Sequence, residues 1–256
     1  SGKNAFKNPL SFRYLDDNFI ESDAVKIGKT FMDYLKKTKD PRIHVYCSLK
    51  DGNTEFDKQF GLPNGYDSHT IADAPSGSFV GLENTSNFNI NTILRLDAPT
   101  IFLMPSETKL LLAEAVLRNW TNGNAEVLYK EAITSSMKEQ EIAYGTQGKI
   151  TDEEIETYLA QNLLSTANNT EKLQIIGEQY WVATFINGYE SYANWRRTGY
   201  PKLIPTNYSG SMSPGVIPTR LPYPTDEYSI NRANVDTANQ QQGADKVTTH
   251  IWWDID

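Results

Sequence analysis

From residue 22 onward, apolar positions recur mostly at helical spacing. Val25, Gly28, Phe31, Met32 and Leu35 define one face of a helix. Ser22 is placed to cap its start, and Asp40-Pro41-Arg42 to stop it. Ile43 to Cys47 then reads as a short extended segment. The next helix opens at Pro105-Ser106, with Ser106 as its cap and Leu110 to Leu117 as its core. A turn at Trp120-Thr121-Asn122-Gly123 leads into a second helix from Asn124, where Ala125, Leu128, Tyr129, Ala132, Ile133, Ser136 and Met137 share a face. So short a connection predicts antiparallel packing. Thr151 and Glu154 fit a reciprocal capping box before Ile155, Tyr158, Leu159 and Asn162. Asn168-Asn169-Thr170 starts a helix with Ile176, Tyr180, Ala183 and Thr184 on its core face, and Asn187-Gly188 breaks it. A further short helix sets Tyr189, Tyr192, Ala193 and Arg196 three and four apart. Gly199 suits the left-handed residue that follows a helix, and Pro201 blocks continuation.

Two long stretches lack this periodicity. Residues 50–98 are punctuated by Gly52, Gly61, Pro63, Gly65, Pro75, Gly77 and Gly81, with a turn signal at Asn64-Gly65. A loop region of this length in a compact domain is expected to be functional. Residues 201–225 hold Pro201, Pro205, Pro214, Pro218, Pro222 and Pro224, half of the 12 prolines. Their fixed φ and missing N–H groups exclude helix and central strand, so an extended strap across the helices is predicted. Thr225 or Asp226 then caps a helix through Tyr228, Ile230, Ala233, Val235 and Ala238, and Trp252-Trp253 reads as a packed terminus.

The fold class expected is mainly α, built on tetratricopeptide-like helical hairpins with long structured loops. Ala113-Glu114-Ala115, then Gly123-x-Ala125, then Tyr129-x-x-Ala132-Ile133 resembles one tetratricopeptide unit. A lone unit cannot bury its own face, so other helices must cover it. A single domain over 1–256 is expected, with a helix and Gly/Asn-rich loops in 1–98, a helical core in 99–200, and the strap and C-terminal helix in 201–256.

Composition narrows the function classes. A net charge of −8 argues against a nucleic-acid partner, which needs a basic surface. No run of eighteen apolar residues reads as a membrane-spanning helix. The single Cys47 makes no internal disulfide, and its apolar neighbours predict a buried, inert thiol. Fourteen Tyr and five Trp suit sugar rings stacking on flat apolar faces, and equally a packed helical core. Glycoside hydrolysis needs two carboxylates facing across a cleft. Glu107 and Glu114 lie on one helix face, where no cleft is expected, and Glu154 serves as a cap. His44, His69 and His250 show no metal-ligand spacing, Asp16-Asp17 reads as plain surface, and no nucleophile elbow or phosphate loop occurs. No metal or cofactor is expected.

Several motifs occur in a recognisable order. Asp40-Pro41-Arg42 is followed by Gly61-Leu62-Pro63-Asn64-Gly65. Trp195-Arg196-Arg197-Thr198-Gly199-Tyr200-Pro201 comes next, then Arg220-Leu221-Pro222-Tyr223-Pro224. Glu227-Tyr228-Ser229-x-Asn231-x-x-Asn234 follows, and Gly243-x-Asp245-x-x-Thr248-Thr249-x-x-Trp252-Trp253-Asp254 is last. Together these resemble the SusD/RagB family of nutrient-binding outer-membrane lipoproteins. The resemblance implies a non-catalytic protein that captures a nutrient, foremost an oligosaccharide, and passes it to a TonB-dependent SusC-like transporter. It implies the extracellular face of the outer membrane, with membrane contact only through a lipid anchor that this sequence lacks. Family members are longer, and Ser1-Gly2 looks like the scar of a cleaved tag, so a C-terminal half is expected. Arg196 and Arg197 are expected to pin the strap through backbone carbonyls or Asp/Glu. The candidate ligand-binding residues are Asn64, Tyr66 and Asp67 on the Gly-rich loop and Tyr208 on the strap. Two alternatives stay open: a helical scaffold that binds only its protein partner, and a glycoside hydrolase.

Overall fold

The computed structural model describes residues 8, 10, 26–67, 69–208 and 210–254. The expected cap at Ser22, the apolar Val25 and the Asp16-Asp17 pair lie outside the described residues. The protein is mainly α-helical, with long structured loops. β structure among the described residues is slight: β1 (Cys47–Ser48) pairs antiparallel with β2 (Asn87–Phe88), and Gly28 bridges Leu62.

Helix α1 spans Lys29–Thr38 and buries Phe31, Met32 and Leu35, the residues its periodicity selects. Each such side chain contributes about 1.5–3 kcal/mol when removed from water. Gly28 lies before the helix rather than on its face. Gly28 is extended, and Ile27 before it donates to the Ser86 carbonyl and accepts from the Leu62 N–H, so the helix cannot run back through it. Ile43 to Tyr46 forms one helical turn, α2, and only Cys47-Ser48 is extended. The turn is made by the Asp40 and Arg42 carbonyls, which accept from the N–H groups of Ile43 and Tyr46 respectively.

α3 (Pro105–Leu117) and α4 (Ala125–Tyr144) form the predicted antiparallel hairpin. Met104, not Ser106, precedes α3. Pro105 takes the first helical position, and the Glu107 carboxylate accepts from the Met104 N–H at 2.9 Å. Ser106 is buried against α4 instead, with its hydroxyl donating to Glu139 at 2.8 Å. Asn124 caps α4, and Thr151 with Glu154 caps α5 (Asp152–Gln161). α6 (Asn169–Ala183) covers the hairpin, which is how a lone repeat unit buries its face here. α7 (Gly188–Thr198) packs on α6 and ends at Gly199, φ 69°. The last helix is broken at Asn231 into α8 (Thr225–Ile230) and α9 (Arg232–Gln242), and Pro224, rather than Thr225 or Asp226, precedes α8.

Two features bind the layers. Phe31 stacks on Phe185 at 4.3 Å and meets the Trp181 ring edge-on at 4.9 Å, while Tyr46 and Phe88 close on Phe185. This cluster ties α1, α2 and β2 to the end of α6. Beneath it lies a polar knot. Arg42, fully buried, donates to Asp40, to the Ser136 hydroxyl on α4 and to Gln179 on α6. Gln179 in turn donates to the hydroxyls of Tyr34 and Tyr158. Asp40-Pro41-Arg42 therefore does more than stop a helix: it joins four helices through satisfied buried donors. Cys47 is buried, and burial pushes its thiol pKa far up, which makes it inert.

Candidate functional site

The Gly-rich loop and the strap meet. Gly61 passes so close to the start of α1 that a Cβ on it would lie 2.4 Å from the Lys29 Cα. Leu62 bonds Ile27 and Lys29 through its backbone, both at 2.7 Å, which fixes the loop to the helical body. Beyond it the chain turns at Asn64-Gly65, with Gly65 at φ 85° and packed on Thr206 of the strap. Two residues further along each segment, the Tyr208 hydroxyl donates to Oδ2 of Asp67 at 2.5 Å. Oδ1 of Asp67 accepts from the N–H groups of His69 and Thr70 and from the Thr70 hydroxyl. These bonds, that from Tyr208 foremost, hold the Asp67 carboxyl well below the usual carboxylate range, and the same bond raises the Tyr208 pKa. All four candidates from the sequence thus share one lip. Asn64 is exposed and Tyr66 half-buried, while Asp67 is engaged in fastening loop to strap.

The strap is held elsewhere by Asp245. Its carboxylate accepts from the Arg220 guanidinium at 2.8 Å, the Tyr223 N–H and the Tyr228 hydroxyl. Two sequence motifs therefore converge on one side chain of a third. Tyr192 on α7 adds a bond from its hydroxyl to the Pro218 carbonyl. The two arginines of α7 act differently from expectation. Arg197 grips Glu114 of α3 with two bonds, at 2.7 and 2.6 Å, and Arg196 donates to Asp254 at 3.1 Å. They tie α7 to the hairpin and to the C-terminal segment rather than to the strap. Trp252 and Trp253 are 84% and 46% exposed, so this terminus is not packed inside; the Arg196 guanidinium sits 4.5 Å from the Trp253 ring.

Between α7, residues 100–102 and the strap at 218–221 lies a cleft of about 1000 Å³. Tyr189, 92% exposed, and Phe102, 83% exposed, present their rings to it. Tyr192 and Arg196 line it from α7, and Arg220 and Leu221 from the strap. The spacing of Tyr189, Tyr192 and Arg196 marks a single helix face, and that face opens onto this cleft. None of Asn64, Tyr66, Asp67 and Tyr208 lines it, so the lip is a separate surface.

The cleft offers aromatic faces and donors, with no carboxylate among the described residues that line it. Glu107 and Glu114 are buried. Burial raises the Glu107 pKa; burial also acts to raise that of Glu114, but the bonds from Arg197 and Arg118 outweigh it and bring the pKa down. Among the described residues no group of three His, Cys, Asp or Glu is placed to hold a metal ion, and no helix is long and apolar enough to cross a membrane.

The profile of a SusD-like family, described as starch-binding and associating with the outer membrane, matches residues 1–224. The chain belongs to this family. Solved structures agree with that placement. A chitin-binding protein is similar to this SusD-like chain at 30% identity and a TM-score of 0.77, over 98% of this chain and 53% of the other. A SusD homologue from Bacteroides fragilis shares 26% identity with a TM-score of 0.71, over 90% and 52% of the two chains. A chitin-binding SusD homologue from Flavobacterium johnsoniae shares 25% identity with a TM-score of 0.70, over 90% and 50%. A comparison with curated proteins gives no match. The SusD-like chain spans about half the length of these solved structures, 53%, 52% and 50%.

Proposed function

We propose that this SusD-like chain binds an oligosaccharide without transforming it and serves handover to a TonB-dependent SusC-like transporter at the extracellular face of the outer membrane. The observation that carries the reading is the cleft beside α7. Its rings are large, flat and open to solvent, and Tyr189 and Tyr192 stand on a helix fixed at both ends by Asn187 and Gly199. Rings held in this way stack on sugar faces at little entropic cost, while arginine, asparagine and threonine bond hydroxyls. The absence of a carboxylate among the described lining residues favours binding over hydrolysis, which needs an acid and a second carboxylate at the bond. Two of the similar structures are described as chitin-binding, which supports a glycan as the nutrient.

The lip forms a second contact surface in this reading. Asn64 and Tyr66 face the ligand, and Asp67 holds the Tyr208 ring in place. The whole chain acts as one domain. Calorimetric titration with chitin and starch oligomers, run beside an assay for new reducing ends, tests the proposal. Saturable binding with no new reducing ends is the expected result. Release of reducing ends identifies a hydrolase, and binding to a transporter without any affinity for glycans identifies a protein-only scaffold.

A further inference from the structure

The cleft beside α7 carries a charge pattern unlike that of the chain. The protein has a net charge of −8, yet the charged side chains among the described lining residues are Arg196 and Arg220. Asp254 and Asp245, which pair with them, are not among those lining residues. Both arginines are largely enclosed, at 13% and 9% side-chain exposure. Each also sits over aromatic rings: the Arg196 guanidinium is 4.5 Å from the Trp253 ring and 5.8 Å from the Tyr192 ring, and that of Arg220 is 5.2 Å from the Tyr223 ring.

Neither guanidinium has its donors filled. Arg196 donates through one terminal nitrogen to Asp254, and its buried Nε has no partner among the described residues. Arg220 donates through Nε to the Leu221 carbonyl and through Nη2 to Asp245, and its buried Nη1 has no partner among the described residues. A buried N–H without an acceptor is unfavourable, and a guanidinium stacked on rings keeps its edge for planar, two-pronged recognition of an anion. Neutral hydroxyls do not need two such groups in one cleft.

Resting on the oligosaccharide reading above, we propose that this cleft is selective for an anionic sugar, one bearing a carboxylate or a sulfate. The acidic group lies against Arg196 and Arg220, its oxygens accepting from the N–H groups that Asp254 and Asp245 leave unfilled. The sugar ring lies on Tyr189 and Phe102.

The test is calorimetric titration of the purified chain with three oligomers of equal length: a galacturonate oligomer, a sulfated glycosaminoglycan oligomer and a chitin oligomer. At low salt one acidic oligomer should bind about tenfold tighter than the neutral one, and the advantage should shrink as salt rises. Whichever acidic oligomer binds identifies carboxylate or sulfate as the group recognised. Arg196→Gln should remove most of the preference, and so should Arg220→Gln. Circular dichroism checks that each variant is folded, and Arg196→Gln alone decides the matter if loss of the Asp245 partner unfolds Arg220→Gln. Equal affinity for acidic and neutral oligomers, or a preference undiminished in Arg196→Gln, overturns this proposal and leaves oligosaccharide binding standing. Failure of all three, and of a starch oligomer, to bind overturns both.

Discussion

The Tyr208 hydroxyl donates to the Asp67 carboxylate at 2.5 Å across a sequence separation of 141 residues. This bond closes the Gly-rich loop onto the proline strap, and Gly65 against Thr206 lies beside it. The two partners titrate in opposite directions. Asp67 is more acidic folded than unfolded, because of Tyr208 first and then the local N–H groups. Its contribution is therefore complete above the ordinary carboxylate range and is lost only as pH falls through its own lower value. Tyr208 is less acidic folded, because of Asp67. Its contribution is lost as pH rises through the raised tyrosine value. Amide exchange in residues 61–70 should stay protected from mildly acidic to mildly alkaline pH and rise at both extremes. Tyr208→Phe should give fast exchange there at neutral pH, with the global unfolding midpoint little changed because the bond is at the surface.

Arg197 and Glu114 join α7 to the hairpin by two bonds, and Arg118 adds a third to the same carboxylate. Glu114→Ala leaves two guanidiniums without their acceptor. The expected loss is about 1–3 kcal/mol in urea unfolding, less than for a fully enclosed pair because Arg197 is partly open to solvent. The folded-state pKa of Glu114 lies below its unfolded value. The wild-type advantage over Glu114→Ala should therefore be full above the usual glutamate pKa and fade as pH drops through the folded one. Parallel melts across that range measure it.

Periodicity located the core helices because they bury an apolar stripe, as α1 does with Phe31, Met32 and Leu35 and α4 with Tyr129, Ala132, Ile133 and Met137. It failed where tertiary bonds override local preference. Ile27 stays out of the helix because Ser86 and Leu62 bond it, and both are distant in sequence. Ser106 has the chemistry of a cap, yet Glu139 from α4 claims its hydroxyl. Asn231 ends α8 in a stretch whose apolar spacing runs on through it. For the candidate site, loop composition pointed to residues 61–67 and 208, and the structure brings those segments together. Composition says nothing about which Tyr is exposed: spacing puts Tyr189 on a helix face without marking it as a binding residue, and Phe102 carries no signal at all. Nor does composition show that Arg220, Tyr223 and Tyr228 share Asp245, since partners twenty residues away carry no local signal.

Asp40 and Arg42 are fully buried and bonded to each other, and Arg42 reaches Ser136 and Gln179 on two other helices. Removing one partner leaves a charge enclosed without its counterion. Asp40→Ala should cost about 3–5 kcal/mol, enough to unfold much of the chain at ambient temperature. Gln179→Leu keeps the ion pair but leaves one Arg42 donor and two tyrosine hydroxyls short of a partner, at about 1–3 kcal/mol. Denaturant titration of both variants should place Asp40→Ala clearly below Gln179→Leu. The reverse order would mean that the tyrosine hydroxyls, rather than the ion pair, hold the knot together.

The cleft and the lip make separable predictions for ligand binding. Tyr189 stands in solvent and makes no ring or hydroxyl contact among the described residues, so Tyr189→Ala should leave the unfolding midpoint unchanged. If its ring stacks on sugar, affinity for an oligosaccharide should fall by about twofold to tenfold, the range of one aromatic contact. Tyr66 is half-buried on the loop, and Tyr66→Ala should weaken the same ligand only if the lip touches it. Tyr208→Phe keeps a ring but frees it from Asp67, so an effect there should appear as a faster off-rate rather than a slower on-rate. Kinetic titration of the three variants with one oligomer separates the surfaces. Loss in Tyr189→Ala alone assigns the ligand to the cleft, and loss in all three assigns it to both. Loss confined to Tyr66→Ala and Tyr208→Phe would make the cleft a bystander and return the site to the lip.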